Sequence, residues 1–327
     1  LRRLIPARLP VLLTGPPGVG KTALVTSLAR ELSYELVASH PVTGDPTDYR
    51  GLPWVIDGAA SFLPVGDLER LQTMGGRPAV WLIDDLGQAS PAVQASIMQL
   101  VHPDGRALNG FRIPETVSIV ACSNRAEDRA GVRQFLAPLL TRFATVLPVE
   151  PDVNAFIRWA LEGGFEPLVA AFLRWKPDSL LDEAPAGQLV PRCSPRTWEH
   201  VSRIMQLGAS AAELGDMVRG AISPGVAVEF LAFLQVYRSL PSVDRVRADP
   251  DGAPVPERLD ALYATAVHLA GATSPADFAL LWRYVQRVRP EFQLLYMLSV
   301  IRKHPALVHS ATYIAWAADP ENAALLS

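Results

Sequence analysis

The octapeptide Gly15-Pro16-Pro17-Gly18-Val19-Gly20-Lys21-Thr22 constrains the fold of this chain more than any other stretch. It fits G-x-x-x-x-G-K-[ST], a loop whose backbone cradles phosphate oxygens. The apolar run Pro10-Val11-Leu12-Leu13 precedes it and reads as a short buried strand. Residues 23–32 follow with helical periodicity. Strand, glycine loop and helix in that order are the context the motif requires. Glycines let the backbone curl so that successive N–H groups point inward. The helix starting near Lys21 adds the positive end of its dipole. Lys21 supplies a point charge to the β- and γ-phosphates, and the Thr22 hydroxyl can ligate Mg2+. The expected phosphate-binding set is therefore Gly15, Pro16, Pro17, Gly18, Val19, Gly20, Lys21 and Thr22, with Ala23 directly behind them.

With 327 residues the chain can bury a sizeable core and has room for about two domains. A hydrophobic share of 49% against 19% charged is the balance of a globular protein. The net charge of −3 gives no bulk pull toward nucleic acid or an anionic membrane. No basic stripe interleaved with aromatics is present either, so nucleic acid is not an expected partner. No apolar run reaches the roughly 18 residues of a membrane span. Cys122 and Cys193 fit no metal spacing. Cys122 lies inside an apolar strand, which points to a reducing compartment, and the cytoplasm is the expected location. The chain begins at Leu1, which leaves a targeting segment ahead of it open.

Glu35 to Ser39 reads as a second strand. Residues 40–66 then lose all periodicity and are dense in Gly, Pro and Asp. Such a stretch inside a compact domain is either functional or a small hairpin. Its large apolar groups, Trp54 and Phe62, either pack on their own domain or meet a partner or neighbouring subunit. Asp67 to Met74 is helical in pattern and ends at Gly75-Gly76. Ala79 to Ile83 is a continuous apolar run, which fits a strand buried on both faces of a parallel sheet. It stops at Asp84-Asp85, at the strand end where open α/β sheets bind ligands. Asp84 can hold Mg2+ directly or through water. Asp85 could polarise an attacking water. A solvated acidic pair opening a loop is the alternative.

Ser90-Pro91 marks a helix start, and Val93, Ile97, Leu100 and Val101 share a face. Asp104-Gly105 and Asn109-Gly110 are turn dipeptides around an expected hairpin. Val117 to Cys122 is the next buried strand, ending in Ser123-Asn124. A neutral amide beside the aspartate-bearing strand can position a water against a γ-phosphate. Asn124 capping the following turn is the other reading. Gly131 to Thr141 is expected to be helical in two pieces, broken or kinked at Pro138. Arg142-Phe143 and a last strand, Ala144 to Leu147, complete this part.

The run Pro148-Val149-Glu150-Pro151-Asp152 marks a domain boundary. After it come helices, over 153–161, 166–175 and 198–207. Arg196 stands in the first turn of the last of these, where a cation opposes the helix dipole by about 0.3–1 kcal/mol. An anion close by would explain it; a solvent-facing arginine is the alternative. From about Ser210 onward the pattern is helical, except for 240–255, which is rich in Pro and Asp and is expected to be a connection. Phe278, Trp282 and Tyr284 read as core.

Together these residues resemble the AAA+ ATPases, and within them the MoxR-like branch. The matching segments are GPPGVGKT at 15–22, WLIDDLGQA at 81–89, ACSNR at 121–125, LLTRF at 139–143 and SPRTW at 194–198. The resemblance covers residues 1 to about 220. It implies an α/β P-loop NTPase core over 1–150 with a parallel sheet of strand order 5-1-4-3-2. It implies an α-helical lid over 151–220, which leaves 221–327 as a C-terminal helical extension. It implies ATP and Mg2+ as cofactors, with Thr22 and Asp84 on the metal. It also implies a ring, usually a homo-hexamer, that hydrolyses ATP to remodel or activate a protein client, often one carrying a von Willebrand A domain. Asp85 stands at the position of the carboxylate that polarises the attacking water, Asn124 becomes sensor 1, and Arg196 becomes sensor 2. Arg142 becomes an arginine finger for the next subunit, with Arg125, Arg129 and Arg133 as rivals. The stretch 40–66 falls where MoxR-like proteins insert a hairpin facing the ring's pore. The family usually has Glu where Asp85 stands. A carboxylate about 1 Å short can cost on the order of 100-fold in rate. A nucleotide-dependent assembly module with slow hydrolysis is therefore the second reading.

Overall fold

Five parallel strands carry the first half of the chain in the computed structural model. The structure describes residues 1–102, 105–125, 128, 135–182, 190–238, 240, 242–319 and 322. They fall into two units, Leu1–Pro151 and Asp152–Ser327.

The first unit runs β1 (Val11–Thr14), α1 (Lys21–Glu31), β2 (Glu35–Ser39), α2 (Pro46–Arg50), β3 (Leu52–Ile56), β4 (Ala59–Leu63), α3 (Asp67–Thr73), β5 (Ala79–Ile83), α4 (Pro91–Leu100), β6 (Ala107–Leu108), β7 (Phe111–Arg112), β8 (Val117–Ser123), α5 (Ala137–Leu140) and β9 (Thr145–Pro148). The main sheet has the order β2-β5-β8-β1-β9. Counting only its five strands in chain order, this is the expected 5-1-4-3-2. Residues alternate between its faces. Leu12, Trp81, Ile83 and Ile119 meet Leu68 and Leu71 of α3 and Val93 and Ile97 of α4. Val11, Leu13, Leu82, Val120 and Cys122 share the other core with Val25 and Leu28 of α1. Both faces are thus covered, which is why β5 and β8 are buried along their whole length. The register sets Thr14 opposite Ser123, and Ile83 opposite both Ser39 and Ala121. The carboxyl ends of β1, β2, β5 and β8 therefore lie along one edge of the sheet.

The aperiodic stretch 40–66 contains a short helix and a hairpin. Asp45 and Asp48 form a capping box around α2, with Pro46 in its first turn. β3 and β4 pair antiparallel from Leu52↔Leu63 to Ile56↔Ala59. Asp57 (φ 51°) and Gly58 (φ 78°) make the turn, as a two-residue hairpin requires. Trp54 is 59% exposed and Val55 67%, so this ribbon is not packed down onto its own unit. The second hairpin, β6–β7, turns at Asn109 (φ 51°) and Gly110 (φ 90°), as the dipeptide predicts. Pro138 does not break a helix. It sits in the first turn of α5, where its missing N–H is not needed. Asp104 and residues 131–134 lie outside the described residues.

The second unit is helical: α6 (Val153–Glu162), α7 (Pro167–Trp175), α8 (Pro195–Met205), α9 (Ala211–Ala221), α10 (Pro224–Arg238), α11 (Val243–Ala248), α12 (Leu259–Ala272), α13 (Phe278–Val285), α14 (Pro290–Lys303) and α15 (Ala311–Ala317). One core gathers Phe172, Trp198, Phe230 and Phe233 in edge-to-face and tilted contacts. A second gathers Phe278, Trp282, Tyr284 and Tyr296. The expected connection at 240–255 holds α11, capped by Ser242. No described helix is long and apolar enough to cross a membrane. Cys122 and Cys193 are free and buried.

Candidate functional site

The loop between β1 and α1 is held by contacts that only glycine permits. The Gly15 N–H donates to Ser123 O at 3.3 Å. A Cβ on Gly15 would lie 2.4 Å from the Val149 carbonyl oxygen, inside any tolerable contact. Gly18 (φ 76°) and Gly20 (φ 104°) take left-handed backbone. Gly20 caps α1 without any side-chain bond, and the first turn holds no acidic residue. The orphan N–H groups at this helix start are left for an anion.

Lys21 is buried at the base of the loop. Its Nζ donates to Gly15 O at 2.8 Å, Pro16 O at 3.0 Å and Asn124 Oδ1 at 2.8 Å. Burial pulls its pKa below the ordinary lysine value, although Asp85 and Asp84 act in the opposite direction. Thr22 Oγ1 donates to Asp84 Oδ2 at 2.7 Å, and the Asp85 N–H donates to Asp84 Oδ1 at 3.1 Å. Asp84 is buried; Asp85, less so, opens a 3-10 turn with φ 55°. Asn124 Nδ2 donates to Asp85 Oδ1 at 3.3 Å. Asn124 therefore bridges lysine and acid. The next N–H, that of Arg125, is taken by Asp128 Oδ2 at 2.9 Å.

The structure thus brings together Lys21, Thr22, Asp84, Asp85 and Asn124. Arg142 is not bonded to this group. It follows α5, and its Nη1 is buried with no hydrogen-bond partner among the described residues. Arg125 pairs with Asp128 at 2.7 Å. Arg129 and Arg133 lie outside the described residues. Arg196 belongs to the second unit, exposed in the first turn of α8 behind the Ser194–Thr197 capping box.

One residue was missed in the sequence. Ser39 ends β2, and its carbonyl accepts the Asp84 N–H at 2.9 Å. Its Oγ accepts from Trp81 Nε1 at 2.8 Å and donates to Asp67 Oδ2 at 2.6 Å. The only available signal was a polar residue closing a strand beside the acidic pair.

The donor set fits a polyphosphate with Mg2+: uncapped N–H groups, one buried lysine, and a hydroxyl–carboxylate pair of hard oxygens. Among the described residues no group of three His, Cys, Asp or Glu side chains could hold a metal by itself.

A sheet of this order, with a phosphate loop after its first strand and an acidic pair after its third, defines a P-loop nucleotide-binding domain. Residues 10–143 match the family model described as AAA domain (dynein-related subfamily). Among solved structures, the RuvB Holliday junction branch migration motor of Thermotoga maritima is 16% identical over 88% of this chain and 83% of that one, with a TM-score of 0.38. NtrX from Brucella abortus, in complex with ATP, is 14% identical over 96% of this chain and 62% of its own, with a TM-score of 0.40. Likeness at these scores supports no residue-by-residue correspondence. No curated protein matches the chain.

Proposed function

We propose that this chain is an ATP-binding and ATP-hydrolysing AAA+ protein of the MoxR-like kind, which works as a homo-hexameric ring on a protein partner. The observation that carries the reading is the single bonded group Lys21–Asn124–Asp85 beside Thr22–Asp84. Lys21 would meet the β- and γ-phosphates, and the first-turn N–H groups of α1 would hold the remaining oxygens. Thr22 and Asp84 would hold Mg2+, which neutralises phosphate charge when bound. Asp85 would polarise the attacking water and Asn124 would orient it. Arg142, whose Nη1 is buried with no hydrogen-bond partner among the described residues, is the candidate to serve a neighbouring subunit's ATP. Residues 151–220 are assigned as the lid that brings Arg196 to the nucleotide, and 221–327 as an extension. A von Willebrand A domain protein is the partner class that the MoxR-like resemblance favours. The free, buried cysteines support a reducing setting such as the cytoplasm.

The second reading is an assembly switch with slow hydrolysis. The short carboxylate of Asp85, already bonded to Asn124, favours it. Calorimetry with ATP and Mg2+, alongside phosphate release, tests both. The wild type is expected to bind ATP, and Lys21→Ala to lose most of that affinity, because the only lysine of the loop is gone. Unchanged affinity in Lys21→Ala would overturn the site. Binding with little phosphate release would select the switch.

A further inference from the structure

Gln94 of α4 has no exposed surface, and its neighbours Val93 and Ile97 pack into the core of the first unit. A buried amide persists where its hydrogen bonds are met. Its Nε2 donates to Ala89 O at 3.2 Å, and its Oε1 accepts the Leu136 N–H at 3.1 Å. Both partners lie at the ends of short turns. Ala89 closes the 3-10 turn that Asp85 opens, where the Gln88 N–H donates to Asp85 O at 2.9 Å and the Ala89 N–H to Leu86 O at 3.2 Å. Leu136 is the N-cap residue of α5, and its own side chain makes no cap bond.

Arg142 follows from Leu136 through two linked turns. Leu136 O accepts the Leu139 N–H at 2.8 Å, and Leu139 O accepts the Arg142 N–H at 3.2 Å. α5 itself, Ala137–Leu140, is too short to hold its own direction. Its buried Leu139 anchors it in the core, but burial of an apolar side chain is not directional. The bond from Leu136 to Gln94 is directional, and it fixes the end of the segment from which Arg142 is reached. Without Gln94 the Leu136 N–H would lose its partner, and the segment would have to turn to find another, carrying Arg142 with it.

We infer that Gln94 is a positioning residue for Arg142: it ties the start of α5 to the turn of Asp85, so that the arginine offered to a neighbouring subunit is aimed from the turn that carries its own subunit's acid. This rests on the nucleotide site and the ring proposed above. Gln94 touches neither nucleotide nor neighbour in this scheme and acts through backbone alone.

The test is phosphate release by mixtures of full-length subunits at saturating ATP and Mg2+. Acceptor subunits carry Arg142→Ala and donor subunits carry Lys21→Ala, so activity needs an acceptor's loop served by a donor's arginine. Whatever Gln94 does for its own subunit's site is silent in a donor. Plain donors restore activity. Donors that also carry Gln94→Met, close in volume but without either hydrogen bond, restore about tenfold less or worse, as a misaimed group does. Gln94→Glu, which buried and neutral keeps an oxygen for the Leu136 N–H, restores more than Gln94→Met. Leu136→Pro removes the same N–H from the other side, at a φ of −65° that proline accepts, and these donors also fail. They cover a folding failure of Gln94→Met, and light scattering checks that donors enter the ring. Full rescue by an assembled Gln94→Met or Leu136→Pro donor overturns the inference. So does failure of both to assemble, since Gln94 would then serve structure alone. No rescue by plain donors overturns the ring and the part given to Arg142, and the inference with them.

Discussion

Asp85 takes a conformation that its longer homologue resists. Its φ of 55° lies in the left-handed region, where Asp and Asn are several-fold enriched. A short carboxylate beside the backbone suits that geometry, and Asn124 anchors it at 3.3 Å. Glutamate there would carry its carboxylate further toward the phosphate side but would strain the turn by about 1–2 kcal/mol. Asp85→Glu is therefore expected to hydrolyse ATP faster and to melt at a lower temperature than the wild type, in parallel phosphate-release and calorimetric runs. Faster turnover at unchanged Tm would disconnect the turn from the choice of acid. Lys21, Thr22, Asp84, Asp85 and Asn124 were all legible in the sequence, because a loop motif and two strand ends place them. Ser39 was not, because its partners Trp81, Asp67 and Asp84 are far away in sequence and only the register of β2 on β5 joins them.

At the scale of elements, periodicity found the long helices and missed the short ones. α2 and α11 each begin at a capped residue, Asp45 and Ser242, in stretches whose composition reads as loop. Five or six residues are too few to show a 3.6-residue period. Pro138 has the same lesson in reverse, since a proline opens a short helix as readily as it ends a long one. Between α10 and α12, the Tyr237 hydroxyl meets His268 Nδ1. Burial pushes the tyrosine up to about 12, so it stays the donor, and holds the histidine below its usual 6.5. Near pH 6.5 the folded state thus binds fewer protons at His268 than the unfolded chain does. The stability from this contact is full above the unfolded histidine pKa and is lost as pH falls through 6.5 toward the folded value. Urea unfolding between about pH 5 and 8 should show that loss in the wild type and a shallower one in His268→Gln. Equal slopes in the two proteins would place the acid sensitivity elsewhere.

On the scale of the molecule, the two units divide between Pro151 and Asp152, between the sheet's last strand and the helix capped by Asp152. The finer division at residue 220 was drawn from resemblance. It falls inside the last turn of α9, and α9 and α10 contribute Val218 and Phe230 to one core. Aromatic clustering of that kind has no period to read. Arg142 belongs to this scale because its proposed target is in another subunit. A finger of this type is worth about 10³–10⁵ in rate. Arg142→Ala should bind ATP nearly as the wild type does and hydrolyse it poorly. Mixing it with Lys21→Ala subunits should restore part of the activity, since intact loops would borrow Arg142 from neighbours with dead ones. Arg196→Ala mixed the same way should stay inactive, because that residue is proposed to serve its own chain. No rescue in the first mixture, or a monomer by light scattering with ATP and Mg2+ present, would replace the ring with a monomeric switch.

The resting bonds of Lys21 have a consequence for selectivity. A lysine already satisfied by two carbonyls and an amide does not reach out for the first anion that drifts in. Inorganic phosphate or a monophosphate offers it one contact in exchange for three. In the proposed site a triphosphate would also engage the helix N-terminus and the Thr22–Asp84 pair, and so would bring more new contacts to the exchange. On the proposed reading, the loop would rank its ligands by the number of charges they bring at once.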